Sequence, residues 1–424
     1  MSDKFTDHKG RPIIVVTGMG VVTSLGEGKD ANWKALTAGQ SGIKKITRFT
    51  TEGLRTHIAG TVDFMQPEEI SAPAISYSMA DSTAGEALEQ AGFGTKGFPG
   101  PLYFAAPPVE LEWQHRFDLL SEQTELEAGY EAVLHAARTK KHERMHELVQ
   151  LGTIAYTIAE KYKTKGLPIS MSTACASGAT AIQHGMEAII RGDTKAALCV
   201  ASDGSVTAEG LIRFSLLSAL TTNPEPEKAS RPFSKDRDGF VMSEGSGALV
   251  LETLEHAVER GAQILGVIKG VGEKADSFHR TRSSPDGQPA ITAISRALED
   301  ANVSADEIGY VNAHGTSTPE NDRMESNSLR AVFGDRMSSI PISSNKSMIG
   351  HTLTAAGAVE AVFSFMTMNE DTIPPTINHD TPDPDIDLDV VPNVSRKASV
   401  DNILSNSFGF GGQNACLVFG RYLA

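Results

Sequence analysis

Short apolar runs alternate along the chain with segments of helix-favouring residues. The clearest runs cover residues 13–22, 196–201 and 247–251, and they are rich in valine, leucine, isoleucine and alanine. Runs of this length predict buried β-strands. Their alternation with helical segments predicts an α/β fold built on a sheet.

The first apolar run contains Gly18-Met19-Gly20, which we interpret as a glycine turn that packs closely after the strand. A dinucleotide-binding loop has a third glycine where this chain has Thr23. The pattern therefore does not favour a nucleotide site.

Two further segments favour helices. Residues 79–92 are rich in alanine and glycine, and residues 122–150 are rich in charged helix formers. His142 and His146 are spaced to share one helix face, and His135 lies nearby, but no carboxylate motif surrounds them. We interpret these histidines as a solvated helix face rather than a zinc site.

The chain also contains a weak internal repeat. Residues 168–172 precede a helical segment rich in small residues, and residues 341–345 precede another one at 350–363. A duplicated fold would place the two turns face to face across a pseudo-twofold axis. The proline-rich run 374–392 is predicted to be an extended loop.

The composition is that of a globular protein. The 424 residues are 40% hydrophobic, and their number indicates two or three domain-sized units or one large duplicated fold. The formal net charge of −15 argues against nonspecific nucleic-acid binding as the main task.

The expected location of the protein in the cell follows from features that the sequence lacks. Three cysteines in a chain of this length argue against a disulfide framework. The first twelve residues are polar, and no stretch approaches the roughly 20 apolar residues of a membrane helix. We expect a cytoplasmic protein without a membrane span.

Cys175 is the strongest candidate for chemistry, because it stands where a predicted strand turns into a predicted helix. Unpaired N–H groups and the helix dipole at such a site are expected to lower the pKa of the thiol and favour the nucleophilic thiolate. Cys199 and Cys416 lie within apolar strand patterns and are expected to be packing residues.

Two histidines and a lysine are candidate partners of Cys175. His314 stands at a predicted strand end, and Lys346 precedes His351 by five residues. Both histidines adjoin glycine at predicted turns, as the cysteine does. We therefore predict that these side chains converge on the sulfur.

Five segments together resemble the β-ketoacyl-acyl-carrier-protein synthases of the elongating type II branch of the thiolase superfamily. They are STACASG at 172–178, RPFSKDRDGFVMSEG at 231–245, VNAHGTSTPEND at 311–322, SSNKSMIGHTLTAAGAVEAV at 343–362 and SNSFGFGGQN at 405–414. The resemblance implies a thiolase-like duplicated fold with five αβαβα layers. Its N-terminal half would cover residues 1–260 and its C-terminal half residues 261–424.

The resemblance implies a decarboxylative Claisen condensation. Cys175 would take an acyl chain from the phosphopantetheine arm of an acyl carrier protein, and a malonyl-carrier protein would follow. His314 and His351 would donate hydrogen bonds to the malonyl thioester carbonyl, where enolate charge develops. The backbone N–H groups of Cys175 and Phe408 would form the oxyanion hole, and Phe408 would gate the pocket.

Further roles come from the same resemblance. Lys346 would hold His351, Glu360 would support Lys346, and the third catalytic position, His351, favours elongation over priming or thiolysis. The residues expected at the substrate are Thr316, Thr318, Phe410 and Arg213. The residues at positions where some relatives hold a monovalent cation are Asn312, Glu360, Ser405 and Asn406. No cofactor is required beyond the arm that the carrier brings.

Residues 67–150 depart from the family pattern. The basic residues that dock the carrier near position 70 are missing, which leaves Arg213 and Lys274 as candidates. Residues 102–113 lack the glycine-rich stretch near the dimer contact and the floor of the acyl pocket. We therefore expect an insertion specialised for unusual or long chains, in a homodimer or in a heterodimer with a second synthase.

Two alternatives remain. A non-catalytic partner subunit resembling the chain-length factors would explain the atypical segment, but such partners characteristically lose the cysteine that this chain keeps. A cysteine hydrolase would need a Cys–His pair, and it explains neither the second histidine nor the lysine.

Overall fold

The computed structural model of the chain describes residues 4–108, 110–121 and 129–423. The strands are β1 (Ile14–Thr23), β2 (Gly26–Glu27), β3 (Lys44–Lys45), β4 (Ile58–Ala59), β5 (Leu102–Ala105), β6 (Ile169–Met171), β7 (Ala196–Asp203), β8 (Gly245–Thr253), β9 (Gly266–Ala275), β10 (Tyr310–Asn312), β11 (Ile342–Ser343), β12 (Thr372–Ile373), β13 (Arg396–Lys397), β14 (Asn402–Phe408) and β15 (Gln413–Gly420).

The α-helices are α1 (Lys29–Thr37), α2 (Ala72–Gln90), α3 (Trp113–Ser121), α4 (Tyr130–Arg138), α5 (Arg144–Leu148), α6 (Thr153–Tyr162), α7 (Ser177–Ile190), α8 (Ala208–Leu216), α9 (Pro226–Ala229), α10 (Leu254–Glu259), α11 (Gln288–Ala301), α12 (Pro319–Phe333), α13 (Lys346–Ile349) and α14 (Ala356–Asn369). Short 3-10 turns cover Ala305–Glu307, Gly334–Ser339 and Leu353–Ala355. None of the helices in the described residues is both long and apolar enough to cross a membrane.

The main sheet contains the same strand arrangement twice. Its order is β11-β10-β14-β15-β9-β1-β8-β7-β5-β6, so that β9 and β1 meet at the centre. In one half β5 is parallel to β6 and β7, and in the other β10 is parallel to β11 and β14. The remaining pairs in each half are antiparallel. This pseudo-twofold arrangement confirms the predicted duplicated α/β fold.

Helices form three layers around the two halves of the sheet. Helices α7 and α14 pack against each other, α7 against β7 and α14 against both β8 and β14, so they fill the centre. Helices α2 and α6 cover the outer face of one half, and α11 and α12 cover that of the other. The two halves are joined directly by the short pairing of β1 residues 14–16 with β9 residues 266–268. The predicted five αβαβα layers are thereby confirmed.

The predicted glycine turn after residue 17 is wrong, because β1 continues through Gly18 and Gly20. A Cβ atom at Gly18 would lie 2.0 Å from the carbonyl oxygen of Ala87, and one at Gly20 would lie 2.1 Å from that of Thr83. Both glycines therefore let α2 approach the strand, which is a packing role rather than a turn.

The other half of the fold repeats this contact. Gly270 and Gly272 lie in β9, and a Cβ atom at Gly272 would lie 2.1 Å from the carbonyl oxygen of Ala293 in α11. A glycine pair thus marks the first strand of each half, where an outer helix packs closest.

The predicted helices are only partly correct. Residues 79–90 of the predicted helix 79–92 fall in α2, which begins earlier, at Ala72 after the N-cap Ser71, and ends at Gln90. Of residues 122–150, 122–128 lie outside the described residues, and the rest forms α4 and α5 rather than one helix. His142 precedes α5, so it does not share a helix face with His146, and His135 lies on α4. No group of three potential metal ligands occurs among the described His, Cys, Asp and Glu residues. Residues 374–392 contain neither helix nor strand, as predicted.

We expect the Gly20→Ala substitution to lower the free energy of unfolding by about 1–3 kcal/mol, because the new methyl group has to displace the backbone of α2. Urea denaturation followed by circular dichroism measures this. Gly152→Ala is the control, since Gly152 has open space around its Cβ position and no positive φ. Equal stability of the two variants would contradict the assigned packing role.

Candidate active site

Cys175 stands on a sharp turn between β6 and α7. Ala174 just before it has a φ of 50°, in the left-handed region that non-glycine residues seldom adopt. Ser177 holds the turn, because its hydroxyl accepts a hydrogen bond from the Thr173 N–H at 2.7 Å and donates one to the Ala174 carbonyl at 2.6 Å. The strained turn presents the sulfur at the start of the helix.

The Cys175 thiol is buried, with 8% of the residue exposed. Burial raises the pKa of Cys175 to about 11, although the Phe410 N–H and the positive charge of Lys346 act in the opposite direction. The predicted lowering of this pKa is therefore wrong, because desolvation outweighs the helix terminus. At neutral pH the thiol carries its proton.

The other two cysteines are buried in strands, as expected. Cys199 lies in β7 and Cys416 in β15, and burial raises the pKa of both thiols. Neither residue borders the cavities described below.

His314 and His351 face each other close to Cys175. Their ring centroids lie 5.3 Å apart, with the planes nearly perpendicular. Burial and the charge of Lys346 lower the pKa of both imidazoles well below its usual value, so both are neutral at pH 7. The Nδ1 atom of His351 accepts a hydrogen bond from the Leu353 N–H at 3.3 Å, which leaves the ring proton on Nε2.

Lys346 and Glu360 form a buried ion pair beside the histidines. Both side chains are only 1% exposed, and the Lys346 ammonium contacts Glu360 Oε1. Burial raises the pKa of Glu360 to about 7, and the attraction of Lys346 opposes this shift. Lys346 thus adds to burial, the larger cause, in lowering the pKa of both imidazoles.

Glu325 is a site residue that the sequence interpretation missed. Its fully buried carboxylate accepts hydrogen bonds from the His314 N–H at 2.9 Å, the Gly315 N–H at 2.8 Å and the Asn406 side chain at 3.0 Å. It thus joins α12 to the ends of β10 and β14. A signal was available, because Glu325 follows Asp322 by three residues and both acids share the inner face of α12.

A cavity of about 290 Å³, here called the outer cavity, leads from the surface to Cys175. Its lining includes the candidate residues Cys175, His314, Thr316, Thr318, His351, Phe408 and Phe410. Leu217, Ser218, Arg282 and Glu320 form an exposed rim. The structure therefore brings the predicted nucleophile, both histidines and both threonines to one space.

A second cavity of about 340 Å³, here called the inner cavity, also reaches Cys175. It runs between α8, the start of α2 and the residues Pro107, Pro108, Glu110 and Glu112. Arg213 borders it and forms an ion pair with Glu110 from the atypical segment. Its guanidinium therefore lies at this cavity, paired with that carboxylate. Lys274 borders a different cavity, one that does not contain Cys175.

Phe410 stands where Phe408 was expected. The N–H of Phe410 is directed at the Cys175 sulfur, and Phe410 borders both cavities. Phe408 ends β14, and its ring packs 5.7 Å from that of His314. The N–H group that the sequence analysis assigned to Phe408 at the sulfur is therefore that of Phe410.

The four positions predicted for a monovalent cation lie next to one another. Asn312 and Ser405 are partners in the parallel β10–β14 pair, and the Asn312 side chain donates to the Glu360 carbonyl at 3.1 Å. Glu360 Oε2 and Asn406 Oδ1 are buried and have no hydrogen-bond partner within the described residues. An oxygen-rich set with such unsatisfied atoms fits a hard cation.

Comparisons with known proteins agree with this site. The family model described as "Beta-ketoacyl synthase, N-terminal domain" matches residues 12–257, and that described as "Beta-ketoacyl synthase, C-terminal domain" matches residues 265–380. The chain is 37% identical over 418 residues to 3-oxoacyl-[acyl-carrier-protein] synthase 2 of Coxiella burnetii, covering 96% of this chain and 98% of that one. It is 38% identical over 433 residues to the protein of the same description from Rhizobium meliloti, covering 96% and 99%.

Solved structures give the same picture. A type II PKS acyl-carrier protein in complex with its ketosynthase bound to the hexaketide matches with a TM-score of 0.87, 30% identity and coverage of 97% of this chain and 100% of that one. A Beta-ketoacyl synthase from Burkholderia phymatum matches with a TM-score of 0.84, 33% identity and the same coverage.

We expect alkylation of Cys175 by iodoacetamide to accelerate by about tenfold per pH unit from pH 7 to pH 10, because the raised pKa keeps the thiolate scarce. Peptide mass spectrometry at several pH values measures the rate. Cys175→Ser removes the label and is the control. A rate that levels off near pH 7 would show a lowered pKa and contradict the effect of burial.

We expect Glu325→Gln to lower the free energy of unfolding by about 1–3 kcal/mol, because an amide cannot accept all three hydrogen bonds and turns an N–H group toward a donor. Thermal and urea denaturation measure this. The matched control is Glu299→Gln on exposed α11 surface, which we expect to be neutral. Unchanged stability of Glu325→Gln would show that the carboxylate is dispensable.

Proposed function

Because the chain belongs to the β-ketoacyl synthase family, we propose that it condenses an acyl group held on Cys175 with a malonyl unit delivered by an acyl carrier protein. The product is a 3-oxoacyl thioester, as the name of its relatives states. One observation carries the proposal: a single cavity joins the Cys175 sulfur, two neutral imidazoles and the molecular surface.

The first half-reaction transfers the acyl group to Cys175. The sulfur attacks the thioester carbon, the bond from that carbon to the arm's sulfur breaks, and the thiol proton passes to the departing sulfur. The raised pKa of Cys175 favours such proton transfer over a free thiolate. We assign the oxyanion hole to the N–H groups of Cys175 and Phe410, since the latter N–H is directed at the sulfur.

The second half-reaction makes the carbon–carbon bond. The bond between the malonyl carboxylate and its neighbouring carbon breaks, carbon dioxide leaves, and the electron pair forms an enolate. His314 and His351 donate hydrogen bonds to the enolate oxygen, which neutral imidazoles can do while avoiding a buried positive charge on each ring. The carbanion then attacks the acyl carbonyl, and the Cys175 sulfur leaves and regains a proton.

Several supporting residues act around these steps. Lys346 and Glu360 position and polarise the histidines, and the Thr316 and Thr318 hydroxyls bind the polar groups of the phosphopantetheine arm. Phe410 gates the passage between the two cavities. A monovalent cation held by the side chains of Asn312, Glu360, Ser405 and Asn406 would balance the Glu360 charge. The only other non-protein group is the arm itself, which the carrier protein brings.

We propose that residues 1–260 and 261–424 are the two halves of the duplicated fold. The repeated strand order and the limits of the two family models support this division. Residues 67–150, expected to be an atypical insertion, contain α2 and β5 of the repeated arrangement, so only part of this segment is additional to it.

The atypical segment supplies Pro107, Pro108, Glu110 and Glu112 to the inner cavity, which we propose receives the acyl chain. This lining is the observation behind the proposed specialisation for unusual or long chains. We further propose that the protein works in the cytoplasm as a dimer of identical or related synthases.

A non-catalytic role is the second candidate. One similar structure, at 32% identity and a TM-score of 0.84, is described as the ishigamide ketosynthase/chain length factor. The catalytic role is favoured because Cys175, His314 and His351 all line the outer cavity.

We expect His351→Ala to load an acyl group but to lose condensation by about 100-fold or more, because it removes a hydrogen-bond donor to the enolate. Intact-mass spectrometry measures loading from acyl-carrier protein, and product formation with malonyl-carrier protein measures condensation. Cys175→Ala should load nothing, whereas the matched control Cys199→Ala should load normally. Absence of loading in the unchanged protein would support the non-catalytic alternative.

The same assay with acyl chains of increasing length tests the specialisation. We expect the rate of loading to favour unusual or long chains over medium ones. Ordinary medium-to-long specificity would contradict the role given to the atypical segment at the inner cavity.

A further inference from the structure

Two arginines lie at or beside the rim of the outer cavity without an acidic partner among the described residues. Arg282 borders the cavity and is exposed, and Arg280 is exposed two residues earlier on the loop between β9 and α11. Within residues 4–108, 110–121 and 129–423, neither guanidinium forms an ion pair or a side-chain hydrogen bond. In a chain with a net charge of −15, such a pair forms a distinct positive site.

The acidic residues at the same cavity do not neutralise the positive charge of these two arginines. Asp238 is engaged by Arg231 at 2.9 Å, and Asp276 accepts hydrogen bonds from the Ser284 N–H at 2.7 Å and the Phe278 N–H at 2.9 Å. Glu320 lies on the rim and, within the described residues, forms neither a hydrogen bond nor an ion pair with either arginine. The two guanidinium groups are therefore available to an anionic ligand.

The loop that carries these arginines is fixed to the loop that carries Phe410. The Gly411 N–H donates to the Arg280 carbonyl at 2.7 Å, and the Asp276 N–H donates to the Gly412 carbonyl at 2.7 Å. A Cβ atom at Gly412 would lie 1.9 Å from the Asp276 carbonyl oxygen, so the contact requires glycine. The positive site thus has a defined position relative to the passage that leads to Cys175.

We propose that Arg282, assisted by Arg280, binds the phosphodiester of the phosphopantetheine arm, an inference that rests on the proposed function. The arm has a thiol at one end and an anionic phosphodiester at the other. The outer cavity has Cys175 at one end, threonine hydroxyls along it and Arg282 at the rim. Arginine binds phosphate oxygens through paired, charge-assisted hydrogen bonds.

Residues 67–79 contain no lysine or arginine. Positive charge beside the mouth of the cavity attracts an anionic arm to the place where it has to enter. Arg213 borders the inner cavity instead, where it pairs with Glu110.

The test compares two small thioesters that differ in the phosphate alone. Acyl-phosphopantetheine and acyl-pantetheine are each added to the full-length protein. The second-order rate constant for loading Cys175 is measured by intact-mass spectrometry. We expect the unchanged protein to prefer the phosphorylated thioester by about tenfold. Arg282→Gln and the Arg280→Gln/Arg282→Gln double variant should reduce this preference toward unity, with loading from acyl-pantetheine unchanged.

Two further variants make the result specific. Arg282→Lys should restore part of the preference, because it keeps the charge but not the paired geometry. Arg191→Gln is the matched control, since Arg191 ends α7 about 20 Å along the helix from Cys175. Higher ionic strength should weaken the preference in the unchanged protein.

Three results would overturn the proposal. A preference that survives in the double variant, or an Arg282→Gln protein that is slower with both thioesters alike, would refute phosphate binding while loading itself remains intact. Loading from neither thioester nor from acyl-carrier protein in the unchanged protein would refute the proposed function, and the inference with it.

Discussion

The two central helices determine this site, because they can meet only where each has a glycine. A Cβ atom at Gly178 in α7 would lie 2.5 Å from the Ala358 backbone nitrogen, and one at Gly357 in α14 would lie 2.5 Å from that of Ala179. The contact is reciprocal, as the pseudo-twofold relation of the two halves requires. It brings the turn that carries Cys175 beside the turn that carries His351, although the residues are far apart in the chain. The relative position of Cys175 and His351 thus depends on the absence of a side chain at Gly178 and at Gly357.

Electrostatically, the site keeps charge to a minimum. The thiol is protonated and both imidazoles are neutral at pH 7, and the buried Lys346–Glu360 pair contains opposite charges in contact. Burying an isolated charge would be costly, so a neutral resting site is the stable one. Charge then appears only during the reaction, on oxygens that the hydrogen-bond donors can reach.

Local patterns in the sequence were sufficient for the parts of the structure that depend on neighbouring residues. The apolar runs predicted β7 and β8, and the strand, turn and helix pattern around Cys175 predicted the sharp turn there, although Cys175 itself is buried. Properties that arise from distant contacts were missed. The Gly18–Gly20 pair indicates a turn until α2 is seen to pack against it. The pKa of Cys175 depends on burial by residues far along the chain, which outweighs the local helix terminus. The spacing of Glu325 from Asp322 indicates a shared helix face, but the contact of Glu325 with the His314 backbone depends on how α12 packs. The Phe410 N–H, rather than that of Phe408, reaches Cys175 because of the way the glycine loop folds.

Phe410 stands between the two cavities and touches the sulfur that both of them reach. In the proposed mechanism the phosphopantetheine arm enters through the outer cavity and the acyl chain occupies the inner one. The acyl-carrier protein and the malonyl-carrier protein must therefore use the outer cavity one after the other. The first carrier has to dissociate before the second can deliver its malonyl unit. Turnover therefore has two binding steps, separated by a covalent acyl-enzyme intermediate. A surplus of either carrier would then crowd out the other, and the balance between them would govern the flux through the enzyme.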